Sequence, residues 1–140
     1  MKFFIIIKEK SKRLPNKNFL NLGICEQSII SFASGMALEG LKPWVYTITP
    51  FLIERPFEQI KLDVDQQKAN VCLVGFADYP TLGPSHSELD DKRLMSLFKN
   101  IKSYFPKDSE ETELAIYKSY QNSGPNFISL KNDNKIGRNW

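Results

Sequence analysis

The chain has 140 residues, a length that usually corresponds to one domain. Charged residues make up 25% of it and the formal net charge is +3, so the composition is that of an ordinary globular domain. We find no basic face with interleaved aromatic residues, which argues against a nucleic-acid partner. The apolar start, Met1 to Ile7 (MKFFIII), is too short to span a membrane and is not followed by a small-residue cleavage site. We therefore interpret it as a buried strand and expect a cytoplasmic protein.

The two cysteines, Cys25 and Cys72, both lie in apolar runs. Two cysteines are too few for a disulfide scaffold, so we expect reduced, buried thiols. No histidine or acidic residue lies at a spacing that argues for a nucleophilic dyad with either of them.

Short apolar runs alternate with longer amphipathic ones along the chain. The predicted strands are Phe3–Ile7, Phe19–Leu22, Trp44–Ile48, Val71–Phe76, Ser103–Phe105 and Asn126–Leu130. The predicted helices are Glu26–Glu39, Arg55–Gln67, Glu88–Lys99 and Ser109–Asn122. Near-continuous apolar strands that alternate with helices predict a three-layer α/β/α domain with a mostly parallel sheet.

Residues typical of helix ends support these boundaries. Gly40 follows the first predicted helix as a C-terminal capping glycine would. Pro56 fits the first turn of the second helix, where its missing N–H costs nothing. Ser109 or, alternatively, Asp108 caps the last helix.

The first predicted helix contains small residues along its length and large apolar residues between them. The small ones are Ser31, Ala33, Ser34, Gly35 and Ala37. A helix that is apolar nearly all round is buried on more than one side. It is either an internal helix wedged against the sheet or a helix at an interface between subunits, next to a ligand site.

Four groups of residues fall at the predicted strand ends, where ligands bind in open α/β sheets. They are Glu26, the segment Thr49-Pro50-Phe51-Leu52, Arg55, and the loop Gly83-Pro84-Ser85-His86. Glu26 would lie at a strand-to-helix turn, a position that suits a carboxylate sharing one proton with a bound heterocycle. His86 is the single histidine of the chain. A lone loop histidine is more often a surface residue than a catalyst, so both interpretations stay open at this point.

Four segments resemble a known family. NLGICEQ and TITPFLIERPFEQI lie between Asn18 and Ile60, and GPSHSELDD and GPNFISL follow later in the chain. That family is the pyrimidine-binding domain of thiamine-diphosphate enzymes of the transketolase type. The resemblance extends to about Lys131 and rests on several motifs in order. It implies a thiamine-diphosphate-binding fold with the domain at 1–132, a shortened N-terminal segment at 1–17 and a polar tail at 133–140.

The resemblance also implies roles for individual residues. Glu26 matches the glutamate that hydrogen-bonds the ring nitrogen of the cofactor's aminopyrimidine. Phe51 resembles the aromatic residue that stacks on the pyrimidine, with Thr49 beside it in the cofactor site. His86 matches a loop histidine that faces the substrate oxygen or takes part in proton transfer. Arg55 resembles a basic residue near the substrate, although an ion pair with Glu54 or Glu58 is an equal alternative.

The sequence contains no Gly-Asp-Gly segment with a following Asn that would hold the diphosphate and its metal. The resemblance therefore implies that this chain binds no metal by itself and that Mg²⁺ or Ca²⁺ is held by a separate diphosphate-binding chain. The expected assembly is a heterotetramer that transfers a two-carbon ketol unit between sugars or sugar phosphates. Without that partner, we expect a large apolar surface around Ser28–Leu38 and either a homodimer or a poorly soluble chain.

Three other functions stay open. A non-catalytic structural module is suggested by the short N-terminus and by the lack of the third transketolase domain. A beta-type chain of a 2-oxo-acid dehydrogenase or decarboxylase shares the same layout. An unrelated receiver or nucleotide-binding domain would need a phosphate-binding glycine loop or an acidic cluster with a downstream lysine, and neither appears.

Overall fold

The computed structural model describes residues 3–7, 18–77, 83–87 and 90–133, with the backbone alone described for 3–7. These residues form a six-stranded sheet with helices on both faces. The strands are β1 (Phe3–Ile7), β2 (Phe19–Leu20), β3 (Lys42–Ile48), β4 (Cys72–Phe76), β5 (Lys102–Tyr104) and β6 (Asn126–Leu130). The predicted α/β fold with a parallel sheet is confirmed, because every pairing between these strands is parallel.

The strand order in the sheet is β2-β1-β3-β4-β6-β5. The central strands β3 and β4 pair in register from Trp44 opposite Cys72 to Ile48 opposite Phe76. Their carboxyl ends therefore lie at one edge of the sheet, together with the turns that follow them. β2 has only two residues and ends at Leu20, so the predicted strand end at Leu22 was too long.

The longer helices match the predicted ones within about one residue. α1 spans Glu26–Leu38 and α5 spans Ser109–Gln121. The N-cap of α5 is Asp108, whose side chain accepts a hydrogen bond from the amide of Glu111 at 3.0 Å. α4 covers only Asp91–Met95 of the predicted Glu88–Lys99, of which Glu88 and Leu89 lie outside the described residues.

The predicted helix Arg55–Gln67 is helical from Phe57 to Asp65, and a short helix that precedes it was not predicted. A separate short helix, α2 (Thr49–Ile53), comes first, and the turn Glu54–Pro56 follows it. α3 (Phe57–Gln59) then continues as a π-helical segment, Ile60–Asp65. Pro56 has no N–H to donate to the carbonyl four residues earlier, so one continuous helix through this turn is disfavoured.

The two faces of the sheet carry separate apolar clusters. The larger one includes Ile30 of α1, Leu52 of α2 and Val64 of the π-helical segment, packed against strand residues such as Leu73. The smaller one joins Ala115 of α5 to the opposite face of β4 and β6. This arrangement is the predicted three-layer architecture.

A buried cation fixes the end of α5 to the sheet. Lys42 of β3 is fully buried, and its ammonium donates to the carbonyls of Ser119 (2.6 Å), Tyr120 (2.8 Å) and Asn122 (2.5 Å). Burial lowers the pKa of Lys42 from its usual value, although the neighbouring Cys72 acts in the opposite direction. These bonds satisfy carbonyl groups that the C-terminal turn of a helix leaves without partners.

Two predicted segments lie outside the described residues. They are most of the predicted N-terminal segment 1–17 and the C-terminal tail beyond Asp133. No helix among the described residues is long and apolar enough to cross a membrane.

Candidate functional site

Glu26 is the first residue of α1 and is almost completely buried, with 9% of its surface exposed. Gly23, just before the helix, has φ +81, so the chain turns there in a conformation that side chains rarely adopt. The turn places the Glu26 carboxylate in the first turn of α1, where the helix dipole favours negative charge. The sequence-based prediction of a poorly solvated carboxylate at a strand-to-helix turn is thus matched by the geometry.

Arg55 provides the positive charge that faces this carboxylate. Its Nη1 lies 3.1 Å from Glu26 Oε1, in an ion pair that connects α1 to the turn after α2. The spacing in the sequence had suggested Glu54 or Glu58 as the partner of Arg55, and neither is the partner in this pair. The Arg55 side chain is 38% exposed, so one side of the pair is open to solvent.

Phe51 lies in α2 and is buried. The guanidinium carbon of Arg55 stands 3.4 Å from the centroid of the phenyl ring, a cation–π arrangement. Arg55 therefore contacts the carboxylate and the aromatic ring together. Glu26, Phe51 and Arg55, which lie on different elements, form one cluster.

His86 approaches the same aromatic ring from its own loop. The imidazole and the Phe51 ring meet edge to face, with centroids 4.9 Å apart. A 3₁₀ turn, Pro84–His86, follows Gly83 (φ +115) and presents the histidine, whose Nδ1 lies 3.2 Å from Ser85 Oγ. The structure thus brings the single histidine of the chain to the cluster around Phe51.

Thr49, the first residue of α2, differs from the other predicted site residues because it is fully buried. Its hydroxyl has no hydrogen-bond partner among the described residues. A Cβ atom added to Gly75 of β4 would lie 2.6 Å from Thr49 Oγ1 and 3.2 Å from Thr49 Cα. Gly75 thus lets α2 pack closely on the sheet, with Thr49 at the point of contact.

A narrow cleft lies beside Glu26 between α1, β3 and α2, with a cavity volume of about 10 Å³, room for about one water molecule. Its walls are mainly apolar, and they are formed by Gly23, Glu26, Ile29, Ile30, Val45, Tyr46, Thr47, Leu52 and Pro56. In this conformation the cleft is an apolar recess beside one carboxylate, and it is too small to enclose a heterocycle.

Some parts of the site are not evident from the sequence. The cleft residues of β3, such as Val45 and Thr47, carry only the pattern of a strand, and the short helix α2 was not predicted. A glycine inside a strand often marks a close approach of another backbone, so Gly75 is one signal of this packing. Pro50, in the first turn of α2, is a second such signal.

A carboxylate at the start of α1, an aromatic ring after β3 and a histidine after β4 all lie at one edge of a parallel sheet. Comparison with protein families identifies the same region: residues 4–135 match the transketolase pyrimidine-binding domain. The chain belongs to this family. The prediction made from the GICEQ and GPSH motifs is thereby confirmed at the family level.

Among curated relatives, one of the subunits of apulose-4-phosphate transketolase from Actinobacillus succinogenes is 36% identical over 122 residues. That alignment covers 85% of this chain and 39% of the relative. The 1-deoxy-D-xylulose-5-phosphate synthase of Oleidesulfovibrio alaskensis is 34% identical over 133 residues, covering 94% of this chain and 20% of the enzyme. The chain thus spans well under half the length of these transketolase-family relatives.

Solved structures give the same family. A split-gene transketolase, described as an inactive beta4 tetramer, superposes with a TM-score of 0.81 at 26% identity, covering 94% of this chain and 46% of that one. The transketolase of Campylobacter jejuni superposes with a TM-score of 0.82 at 15% identity, covering 93% and 22%. The second likeness shows the pyrimidine-domain fold alone.

Proposed function

We propose that the chain is the pyrimidine-binding part of a split transketolase-like enzyme, in which it completes a thiamine-diphosphate site together with a separate diphosphate-binding chain. The observation that carries this proposal is the convergence of a buried carboxylate, Glu26, with an aromatic ring, Phe51, beside an apolar cleft. The resemblance to the family assigns both residues a contact with the aminopyrimidine, and their proximity supports that assignment.

The residues present fit such a ring. An aminopyrimidine is flat, its exocyclic amino group carries in-plane N–H groups, and its ring nitrogen can share a proton with a carboxyl group. It therefore suits a carboxyl group at its edge and an apolar or aromatic surface at its face. The guanidinium of Arg55, which is also flat and rich in N–H groups, already makes both contacts, at 3.1 Å to Glu26 and 3.4 Å to the centre of Phe51. The cluster is thus suited to planar N–H donors.

Within this proposal, each residue has its own task. Glu26 Oε1 holds or shares one proton at the pyrimidine edge, and Phe51 orients the ring from below. His86, at the margin of Phe51, faces the substrate and exchanges a proton with a substrate oxygen. The cofactor supplies the electron sink for carbon–carbon bond cleavage when it is bound, and the chain supplies placement and proton exchange.

Several further assignments belong to the same proposal. The partner chain holds the diphosphate and its Mg²⁺ or Ca²⁺, and the two kinds of chain form a heterotetramer in the cytoplasm. The reaction is the transfer of a two-carbon ketol unit between sugars or sugar phosphates. Support comes from the relatives named as a transketolase subunit and as a split-gene transketolase.

The exchange Glu26→Gln tests this proposal in the complex that co-purifies from the native organism. The amide keeps the shape of the side chain but cannot take a proton, so turnover should fall about 10²- to 10⁴-fold while assembly is unchanged. Glu39→Gln is the matched control, since Glu39 is exposed at the C-terminal end of the same helix. Turnover that survives Glu26→Gln would instead support a non-catalytic structural module.

A further inference from the structure

Arg55 occupies the place at which the proposed function puts the pyrimidine ring. Its guanidinium satisfies the Glu26 carboxylate at 3.1 Å and lies against the Phe51 ring at 3.4 Å. A heterocycle that used the same oxygen and the same ring face would collide with this side chain. The arginine and the ring are therefore alternative occupants of one position.

We propose that Arg55 is a displaceable occupant of the pyrimidine position, and that binding exchanges the Glu26–Arg55 pair for a pair between Glu26 and the ligand. This inference rests on the proposed function and deepens it, because it assigns a specificity-determining task to Arg55. A ligand binds only when it replaces the two contacts of the guanidinium, one to the Glu26 carboxylate and one to the Phe51 ring.

The burial of Glu26 explains why an arginine at this position is useful while no ligand is bound. The side chain of Glu26 is 10% exposed, and a carboxylate so poorly solvated is costly without a partner. Arg55 supplies that partner while the site holds no ligand. A flat ring without an in-plane N–H group would displace Arg55 and leave the carboxylate unpaired, so the site discriminates against it.

The surroundings of Arg55 allow it to leave. Its side chain is 38% exposed, so the displaced charge returns to water at little cost. An open depression also adjoins Glu26, and Ile24, Cys25, Gln27 and Ser28 line it together with Arg55 itself. The backbone of Arg55 lies in the turn before Pro56, so only the side chain has to move.

The first test determines whether the Glu26–Arg55 ion pair forms in solution. It uses nitrogen-15 NMR spectra of the arginine guanidinium groups in the full chain. Arg55→Lys assigns the Arg55 resonances by their loss. Glu26→Gln should shift them, whereas the control Glu39→Gln should not. Arg55 resonances that are identical in the wild type and in Glu26→Gln would overturn the proposal.

The second test measures exchange directly, using 4-amino-2-methylpyrimidine as the probe. This compound is neutral near pH 8, so repulsion between its charge and Arg55 plays no part. Adding it to the wild type should move the Arg55 resonances towards their values in Glu26→Gln. Arg55→Ala should bind the probe about tenfold more tightly, since cation–π and ion-pair contacts of this kind together have that order of strength.

Two further variants separate the explanations. Arg55→Lys keeps the charge but loses the flat fork, so it should bind the probe nearly as tightly as Arg55→Ala. Arg93→Ala, in α4, should bind it like the wild type. Well-dispersed amide spectra show that each variant is folded.

The outcomes distinguish this inference from the proposed function. If the wild type binds the probe and Arg55→Ala binds it equally or less tightly, the exchange is overturned and the pyrimidine site stands. If Arg55→Lys binds the probe like the wild type, the positive charge alone controls the affinity, and the flat guanidinium does not compete with the ring for one position. That result also overturns the exchange. If no variant binds the probe at millimolar concentration, the pyrimidine site itself fails, and the inference fails with it.

Discussion

The cation that faces Glu26 lies 29 residues further along the chain, on a different element. Ion pairs between exposed side chains are typically worth about 1 kcal/mol or less, but Glu26 is only 10% exposed and its charge is costly without a partner. The Glu26–Arg55 pair is better understood as a way to keep a buried carboxylate partnered. The pair holds the Arg55 guanidinium beside the Glu26 carboxylate.

The two thiols of the chain should behave differently. Cys72 is fully buried, and burial raises its pKa from 9.0 to about 12 even though Lys42 and Ser119 act in the opposite direction. Cys25 lies at the start of α1 and is half-buried. We expect one thiol per folded chain to react with an Ellman-type reagent, and both to react after unfolding.

The raised pKa of Cys72 also has a thermodynamic consequence. Below pH 9.0 the thiol is neutral in both states, but above it the unfolded chain loses a proton that the folded chain keeps. The free energy of unfolding should therefore fall as pH rises towards about 12, by at most about 1.4 kcal/mol per pH unit from this group. Denaturant titrations at several alkaline pH values measure the slope. Cys72→Ala should lose this contribution and Cys25→Ala should keep it, so equal slopes in the two variants would contradict the assignment.

Among the helices and strands, the packing of α2 on β4 depends on one glycine. Gly75→Ala places a methyl group 3.2 Å from the Cα of Thr49, so α2 has to shift away from the sheet. Overpacking of this kind should lower the free energy of unfolding by about 1–3 kcal/mol, and it should also weaken pyrimidine binding because Phe51 moves with α2. Chemical denaturation and a probe titration measure the two effects.

Gly35 offers a matched control for this substitution. A Cβ at Gly35 meets no atom within 4 Å, and the residue lies inside α1. Gly35→Ala should therefore stabilise the chain by about 0.5–1 kcal/mol. A destabilisation by Gly35→Ala equal to that by Gly75→Ala would show that the effect is not specific to the contact with Thr49.

The elements that the sequence predicted well are those whose local signals agree with their final environment. β1 and β6 have the predicted bounds, and α1 begins at the predicted Glu26. The helix α2 was not predicted because tertiary packing decides it: it has five residues and is held by its fit on Gly75. Helices this short have little intrinsic stability, so no local pattern marks them strongly.

In the candidate site, too, local sequence signals identified single residues, whereas their contacts depend on tertiary packing. Motifs pointed to Glu26, Phe51, Arg55 and His86 individually, and the structure brings all of them together. Which of them touch, and in what order, depends on the relative placement of α1, α2 and the loop after β4. That placement follows from long-range packing, so the pairing of Arg55 with Glu26 was not accessible from spacing.

Over the molecule as a whole, α1 leaves apolar side chains on the surface. Phe32 and Leu38 are 46% and 60% exposed, and Ile24 just before the helix is 72% exposed. We expect the chain alone to self-associate through the exposed face of α1, since exposed large apolar side chains favour association. Phe32→Glu should weaken self-association about tenfold, as measured by sedimentation at several concentrations.

A control for this prediction lies on the opposite layer. Leu114 of α5 is also exposed, and Leu114→Glu should leave self-association unchanged if the α1 face is responsible. A wild-type chain that stays monomeric at all concentrations, or equal effects of the two substitutions, would show that the α1 face does not drive association.

The strand order affects how the chain folds during its synthesis on the ribosome. β5 precedes β6 in the chain, yet β6 separates it from β4 in the sheet, and Cys72 lies opposite Asn126. β5 therefore has no described strand to pair with until β6 has been synthesised. Until then, the edge of β4 that pairs with β6 also has no partner strand. A nascent chain has to wait for its last described strand before the sheet can close, so slow translation before Asn126 prolongs the period in which an open strand edge can aggregate.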